Sequence, residues 1–174
     1  MAVNSELVID YTLELYPNEG QWDAYVSWFG GTSILNRTND NAGIDIYCVK
    51  DQEVPFTGSA TLLDLGVRAK MYKRVNGEPE PCHFWTAPRS SIWKNGVTQA
   101  NSLGVIDRSY RGTLFGAVLP IPKGDTTPVQ IKAGTRLFQI LAPDMGHIKH
   151  ISLRPLSELD TTSRGEGGFG STGK

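Results

Sequence analysis

The sequence predicts an all-β fold, a sandwich or barrel of many short strands, and three observations carry that expectation. Nineteen glycines and ten prolines recur every few residues, cutting the chain into short pieces rich in Val, Ile, Leu, Tyr and Phe. No amphipathic helix of respectable length survives between these breaks. In residues 42–49, Ala42, Ile44, Ile46 and Cys48 alternate with Gly43, Asp45 and Tyr47, the period of two that a strand shows when one face is buried.

Taken in chain order, the expected strands are residues 5–15, 42–49, 59–69, 104–106, 114–120, 129–131, 136–141 and 151–155. The strand over 42–49 buries its apolar set and projects Asp45 from the other face, where it is available for polar work. Residues 17–41 and 71–85 read as loops or hairpins added to the core, with Asn76-Gly77 a tight-turn dipeptide in the second. One short helix is expected after Pro88, with Ser90 or Ser91 near its start and Asn95-Gly96 closing it. Residues 161–174 hold one aromatic and five glycines, too little apolar surface to order themselves, so they are expected to form a mobile arm. The expected organisation is one β domain over 1–160 and an arm over 161–174.

Length and charge bound the function. With 174 residues, 39% of them hydrophobic, the chain fills one domain with a real core. A formal net charge of −1 supplies no long-range attraction for nucleic acid or an anionic membrane, so any polyanion must be met locally. Cys48 and Cys82 are able to pair in principle, but two cysteines in a domain with ample apolar content read as reduced thiols, which favours an intracellular compartment. The N-terminus has no basic segment ahead of an apolar run, and no stretch approaches the ~18 consecutive apolar residues of a membrane span. A soluble intracellular protein, cytoplasmic or nuclear, is expected.

Three segments carry chemistry. The tail TTSRGEGGFGSTGK offers backbone amides to oxyanions, a guanidinium fork from Arg164 and an aromatic face from Phe169; taken alone it is equally a low-complexity tail. In ANSLGVIDRSYRGTL a short apolar strand enters an Asp-containing turn and leaves as another strand, the pattern of a β-hairpin. Backbone groups at the mouth of such a hairpin are able to read a pyrimidine edge, and Asp107 to hold a water as general base; Asp107 as a simple turn former fits as well. In TAPRSSIWKNG, hydroxyls and free amides at a helix start form an anion site reinforced by Arg89, or merely a capped helix.

Together and in order, these segments resemble the five motifs of the trimeric dUTPase family, from Asn41 to Gly173. AGIDIY resembles the first motif, APRSSIWKNG the second, GVIDRSYRG the third, IKAGTRLFQIL the fourth and RGEGGFGSTG the fifth. The resemblance implies a jelly-roll-like β fold, a homotrimer with active sites built from all three chains, and hydrolysis of dUTP to dUMP and pyrophosphate. It implies that Asp107 deprotonates the attacking water, while Asn101 and the backbone of Gly104, Val105 and Ile106 bind the uracil edge. Tyr110 would lie against the deoxyribose and exclude a 2′-hydroxyl. Arg89, Ser90 and Ser91 would hold the phosphate chain, with Gln139 near the α-phosphate. Arg164 would grip the γ-phosphate and Phe169 stack on uracil as the arm closes; Phe115, Gly170 and Ser171 complete the implied substrate-binding set. Mg²⁺ is implied, bound through substrate phosphates and water with no direct protein ligand, Asp45 acting through an intervening water.

Two departures stand out: Ser91 occupies a position where many members carry Gly, and Thr113 follows Gly112 where an acidic or amide residue is common. The added loops resemble those of some dUTPases of large DNA viruses, so a virus-encoded chain acting in a host cell also fits. The dCTP deaminases share the fold and an Arg-Ser-Ser motif, but they need a glutamate on the strand after the third motif. Residues 112–119, GTLFGAVL, hold no acid, with Ala117 at or near that site. A catalytically silent, dUTPase-like binding protein is the remaining alternative, against which the presence of Asp107, Tyr110, Arg164 and Phe169 argues. His147 and His150 lack a third ligand and are expected in a solvated loop. Trp22, Trp28, Trp85 and Trp93 have no basic patch beside them, so core or trimer packing is expected of them.

Overall fold

The computed structural model describes residues 6–170. In chain order its elements are β1 (Ile9–Pro17), α1 (Trp22–Phe29), β2 (Ser33–Ile34), β3 (Ile44–Ile46), β4 (Gln52–Val54), β5 (Thr61–Asp64), β6 (Val67–Val75), β7 (Glu78–Cys82) and β8 (Phe84–Pro88). There follow a 3₁₀ turn (Ile92–Asn95), β9 (Val97–Gln99), β10 (Gly104–Ile106), β11 (Phe115–Pro120), β12 (Val129–Ile131), β13 (Phe138–Leu141), β14 (Ile148–Leu153) and a second 3₁₀ turn (Leu156–Glu158). The all-β, jelly-roll-like expectation holds. The strands form sheets in the orders β2-β14-β1-β6-β7, β10-β8-β13-β3, β5-β11-β9 and β12-β4.

Alternation builds these sheets around a shared core. Ile44, Ile46 and Cys48 point inward while Asp45 and Tyr47 stay partly exposed, as the period of two requires. One apolar cluster draws on every sheet, through Leu13, Ile46, Val54, Leu63, Val118 and Ile140 among others. Burial raises the Cys48 thiol to about 12 and the Cys82 thiol to about 11, and both cysteines are free. The hairpin of residues 71–85 forms around Asn76-Gly77, whose φ angles of 50° and 89° are those of a primed turn. Its outer strand β7 carries Pro79 and Pro81, which lack the N–H a further strand would need.

Several expectations are corrected. The short helix expected after Pro88 is present, as the 3₁₀ turn Ile92–Asn95 with Ser91 at its N-cap and Gly96 at φ 75° closing it, but an unexpected α-helix lies within residues 17–41. Trp22, Tyr25, Val26 and Phe29 recur at i, i+3, i+4 and i+7, which is the signal for that helix, masked by Gly20 and Gly30-Gly31 on either side. Tyr25 is fully buried and its hydroxyl donates to Leu65 O at 2.6 Å. Trp28 stacks on Tyr47, with ring centroids 4.4 Å apart, so the inserted segment is packed onto β3 and does not hang free.

The segments around Asp107 are not a hairpin. β10 pairs with β8, and β11 pairs with β5 and β9, so the chain crosses from one sheet to another through residues 107–114. The backbone groups there are satisfied locally: Tyr110 N donates to Asp107 O, Arg111 N to Gly165 O, and the Arg111 guanidinium to the carbonyls of Arg108 and Tyr110. His147 and His150 do not sit in a solvated loop either. His150 belongs to β14 and its Nδ1 accepts Asn36 N–H, while His147 Nε2 is buried without a partner. Trp22 and Trp28 pack on the core, Trp85 donates to Pro143 O, and Trp93 is 61% exposed.

Candidate active site

The first half of the site is built on β10. Gly104 lies opposite Thr86 of β8, and a Cβ at Gly104 would fall 2.1 Å from Thr86 Oγ1, so a side chain there would displace the Thr86 hydroxyl. Residues Asn101, Gly104, Val105, Ile106, Asp107, Tyr110 and Phe115 then line one pocket with Thr86, Thr113 and Leu114. Arg164, Gly168 and Phe169 of the arm complete its wall. Burial raises the Tyr110 phenol, helped by the nearby Glu166 carboxylate, and its hydroxyl donates to Thr113 O at 2.8 Å. Tyr110 is therefore a neutral, oriented wall.

Asp107 is the acidic group of this pocket. Arg164 Nη1 pairs with Asp107 Oδ2, and the same guanidinium lies 5.9 Å from the Tyr110 ring centroid. Phe169 meets Phe115 edge-on at 6.5 Å. In this structure the arm therefore rests on the pocket of its own chain, with Arg164 paired to the Asp107 carboxylate.

The arm is rooted by charge. Asp160 accepts from Arg111 at 3.1 and 3.2 Å and from Lys70 at 2.9 Å; farther along, Arg68 pairs with Glu166 and Thr162 Oγ1 donates to Ser109 O. The Arg111 guanidinium, with Lys70 beside it, holds the Asp160 carboxyl down to about 2, against an ordinary 3.8. A depressed carboxylate stabilises the fold above its ordinary value, and that contribution disappears as pH falls from about 3.8 toward about 2. Because Asp160 is half exposed, solvent screening keeps the effect to no more than about 1 kcal/mol. Asp160→Asn is expected to lower the melting temperature slightly at neutral pH and to reduce the dependence of stability on pH across that acid window, as read by thermal denaturation at several pH values.

The second half is built on β3, β8 and β13. Gln139 lies opposite both Asp45 and Ala87, and a Cβ at Gly43 would fall 1.9 Å from Gln139 Oε1, which explains the glycine of AGIDIY. Asp45 receives Arg89 Nε at 3.0 Å on one oxygen and Arg136 Nη1 at 3.2 Å on the other. It thereby fixes two guanidinium groups at the edge of a pocket that Ser90, Gln139 and Arg37 also line. Three arginines against one aspartate leave this pocket positive. The two pockets share no residue. They draw on opposite edges of one sheet, β10 and β3, whose axes are about 14 Å apart at about 4.8 Å per strand.

The expected residues thus divide between two groups. Asp107, Asn101, Gly104, Val105, Ile106, Tyr110, Phe115, Arg164 and Phe169 meet in the first pocket; Arg89, Ser90, Gln139 and Asp45 meet in the second. Ser91 lines neither, standing at the start of the 3₁₀ turn with no capping bond from its hydroxyl. Gly170 ends the described chain at φ 87° and lines neither pocket, and Ser171 lies outside the described residues. Sequence reasoning missed Thr86, Arg136 and Arg111. All three sit inside quoted segments, Thr86 in TAPRSSIWKNG, Arg111 in GVIDRSYRG and Arg136 in IKAGTRLFQIL, but only register and burial show what each one touches. Ala117, at or near the position expected of a deaminase glutamate, is buried in β11 opposite Leu62. Among the described residues no helix is long and apolar enough to cross a membrane.

Comparison with known proteins follows the same residues. A family model described as dUTPase matches residues 31–173. A deoxyuridine 5′-triphosphate nucleotidohydrolase of Rickettsia bellii is 33% identical over 138 residues, covering 78% of this chain and 83% of that protein. The corresponding protein of Wolinella succinogenes is 36% identical over 137 residues, 76% of this chain and 80% of that one. That of Cutibacterium acnes is 31% identical over 134 residues, with coverages of 76% and 80%. Among solved structures, native EIAV dUTPase aligns with a TM-score of 0.44 at 16% identity, covering 87% of this chain and 98% of that one.

Proposed function

This chain belongs to the dUTPase family, and from that premise we propose that it hydrolyses dUTP to dUMP and pyrophosphate with Asp107 as the base. The observation that carries the reading is the environment of Asp107: a carboxylate at the end of β10, between backbone groups suited to a pyrimidine edge and a cationic arm. Asp107 takes a proton from water as the water oxygen bonds to the α-phosphorus. The bond from that phosphorus to the oxygen bridging it to the β-phosphate breaks, and pyrophosphate departs with the electron pair. For this to happen Arg164 must leave Asp107, and the γ-phosphate is the competing anion that draws it away. The γ-phosphate thereby uncovers the base and closes the arm in one exchange.

Uracil is read by Asn101 and by the backbone of Gly104, Val105 and Ile106, while Tyr110, neutral and anchored to Thr113 O, denies space to a 2′-hydroxyl. Arg89, Ser90 and Gln139 take the phosphate chain. Because they line a pocket that shares no residue with the one around Asp107, we read the complete site as shared, a homotrimer bringing the second pocket of one copy to the first of another. Exposed Trp93, Leu103 and Val105 are the apolar surface such copies would cover.

Among the described residues no three His, Cys, Asp or Glu side chains converge on a point, and Asp45 is engaged by two arginines. Mg²⁺ would enter with the substrate, and Asp45, the acidic residue lining the phosphate pocket, would meet it through water. When bound, Mg²⁺ neutralises phosphate charge and favours departure of pyrophosphate.

Pyrophosphate release is the test, measured in parallel for dUTP, dCTP, dTTP and UTP with and without Mg²⁺. Hydrolysis of dUTP alone is expected, with no ammonia released from dCTP. An inert protein in the presence of Mg²⁺ and dUTP would sink the proposal, and a fully active species that sediments as a monomer would sink the shared site.

A further inference from the structure

We infer that His83 positions Asp107 by accepting the N–H of the residue after it; the inference rests on the reading of Asp107 as the group that activates water. His83 belongs to residues 71–85, to which no role has been given above. β8 and β10 pair antiparallel with Ile106 opposite Phe84, so the next rung of the ladder sets His83 across from Asp107. Its Nδ1 lies 3.1 Å from Arg108 N and 3.3 Å from Asp107 Oδ1.

One ring nitrogen cannot serve both neighbours in the same state. To accept the Arg108 N–H it must be bare, with the proton of the neutral ring on Nε2. That bond pins the backbone immediately after Asp107 and so aims its carboxylate. To donate to Asp107 Oδ1, Nδ1 must carry a proton and release Arg108.

Arg164 holds the other oxygen of Asp107. Once it turns to phosphate, His83 is the polar side chain left beside that carboxylate. The proton of water goes to Asp107; His83 forms no bond to substrate and sets only the orientation of its neighbour.

The test uses the full chain and three forms of position 83. His83→Gln keeps an acceptor for Arg108 N–H and should retain most of the wild-type kcat on dUTP. His83→Phe removes the acceptor and should lower kcat about two- to tenfold with KM little changed, the loss of one hydrogen bond. The amide resonance of Arg108, followed by NMR without substrate, should stay near its wild-type position in His83→Gln and shift in His83→Phe. A kcat in His83→Phe equal to that of wild type, or an Arg108 amide indifferent to His83→Phe, would overturn the inference. If wild type leaves dUTP intact the underlying reading fails, whereas the amide shift still decides whether His83 governs the turn.

Discussion

Asp107→Asn is expected to lower kcat on dUTP by about 10²- to 10⁴-fold, the usual worth of a positioned general base. The amide keeps the size of the carboxylate and its place at the end of β10, but it no longer takes a proton from water. Asp107 sits at the pocket surface with a third of its side chain exposed, so the fold is not expected to suffer, and melting temperature and oligomeric state should stay near those of wild type. The variant also frees Arg164 from its partner in the substrate-free protein. Its affinity for dUTP should therefore be no weaker than wild type, which separates a lost base from a damaged pocket. A variant with more than a tenth of the wild-type kcat would remove Asp107 from the role given to it.

A chain ending at Thr162 should lose about 10²- to 10³-fold in kcat/KM on dUTP. Truncation removes the Arg164 fork, whose charge-assisted bonds are worth about 1.5–3 kcal/mol, and the Phe169 face, whose stacking on a base is worth about 1–3 kcal/mol. Combined, with partial overlap, about 3–4 kcal/mol of transition-state stabilisation disappears, at about 1.4 kcal/mol per factor of ten. The root of the arm survives, because Asp160 keeps its bonds to Arg111 and Lys70. Steady-state kinetics on the shortened chain, with thermal denaturation beside them, measure the effect. Activity within tenfold of the full chain would mean that the arm is not part of the working site.

These expectations differ in how far they were legible before the fold was seen. Asp107, Tyr110, Arg164 and Phe169 stand in short, ordered segments whose chemistry is local, and they meet in one pocket. The strand through Asp45 was legible for the same reason, since alternation over residues 44–48 is a property of consecutive residues. The helix Trp22–Phe29 was hidden because eight residues between glycines offer only one repeat of the helical period. The supposed hairpin at Asp107 was misread because two apolar stretches flanking a turn look alike whether they pair with each other or with strands elsewhere.

What the sequence by itself determined is the class of fold and most of the side chains that gather in the first pocket, because strand period, turn chemistry and side-chain type are written in neighbouring residues. Only the tertiary structure decided that β10 takes β8 as its partner, that Asp45 stands between Arg89 and Arg136, that the arm lies on its own chain's pocket, and that His83 faces Asp107. Each of these joins residues tens of positions apart through backbone pairing and burial. The free energy selecting such a pairing belongs to the whole packed core, so no local stretch of sequence contains it.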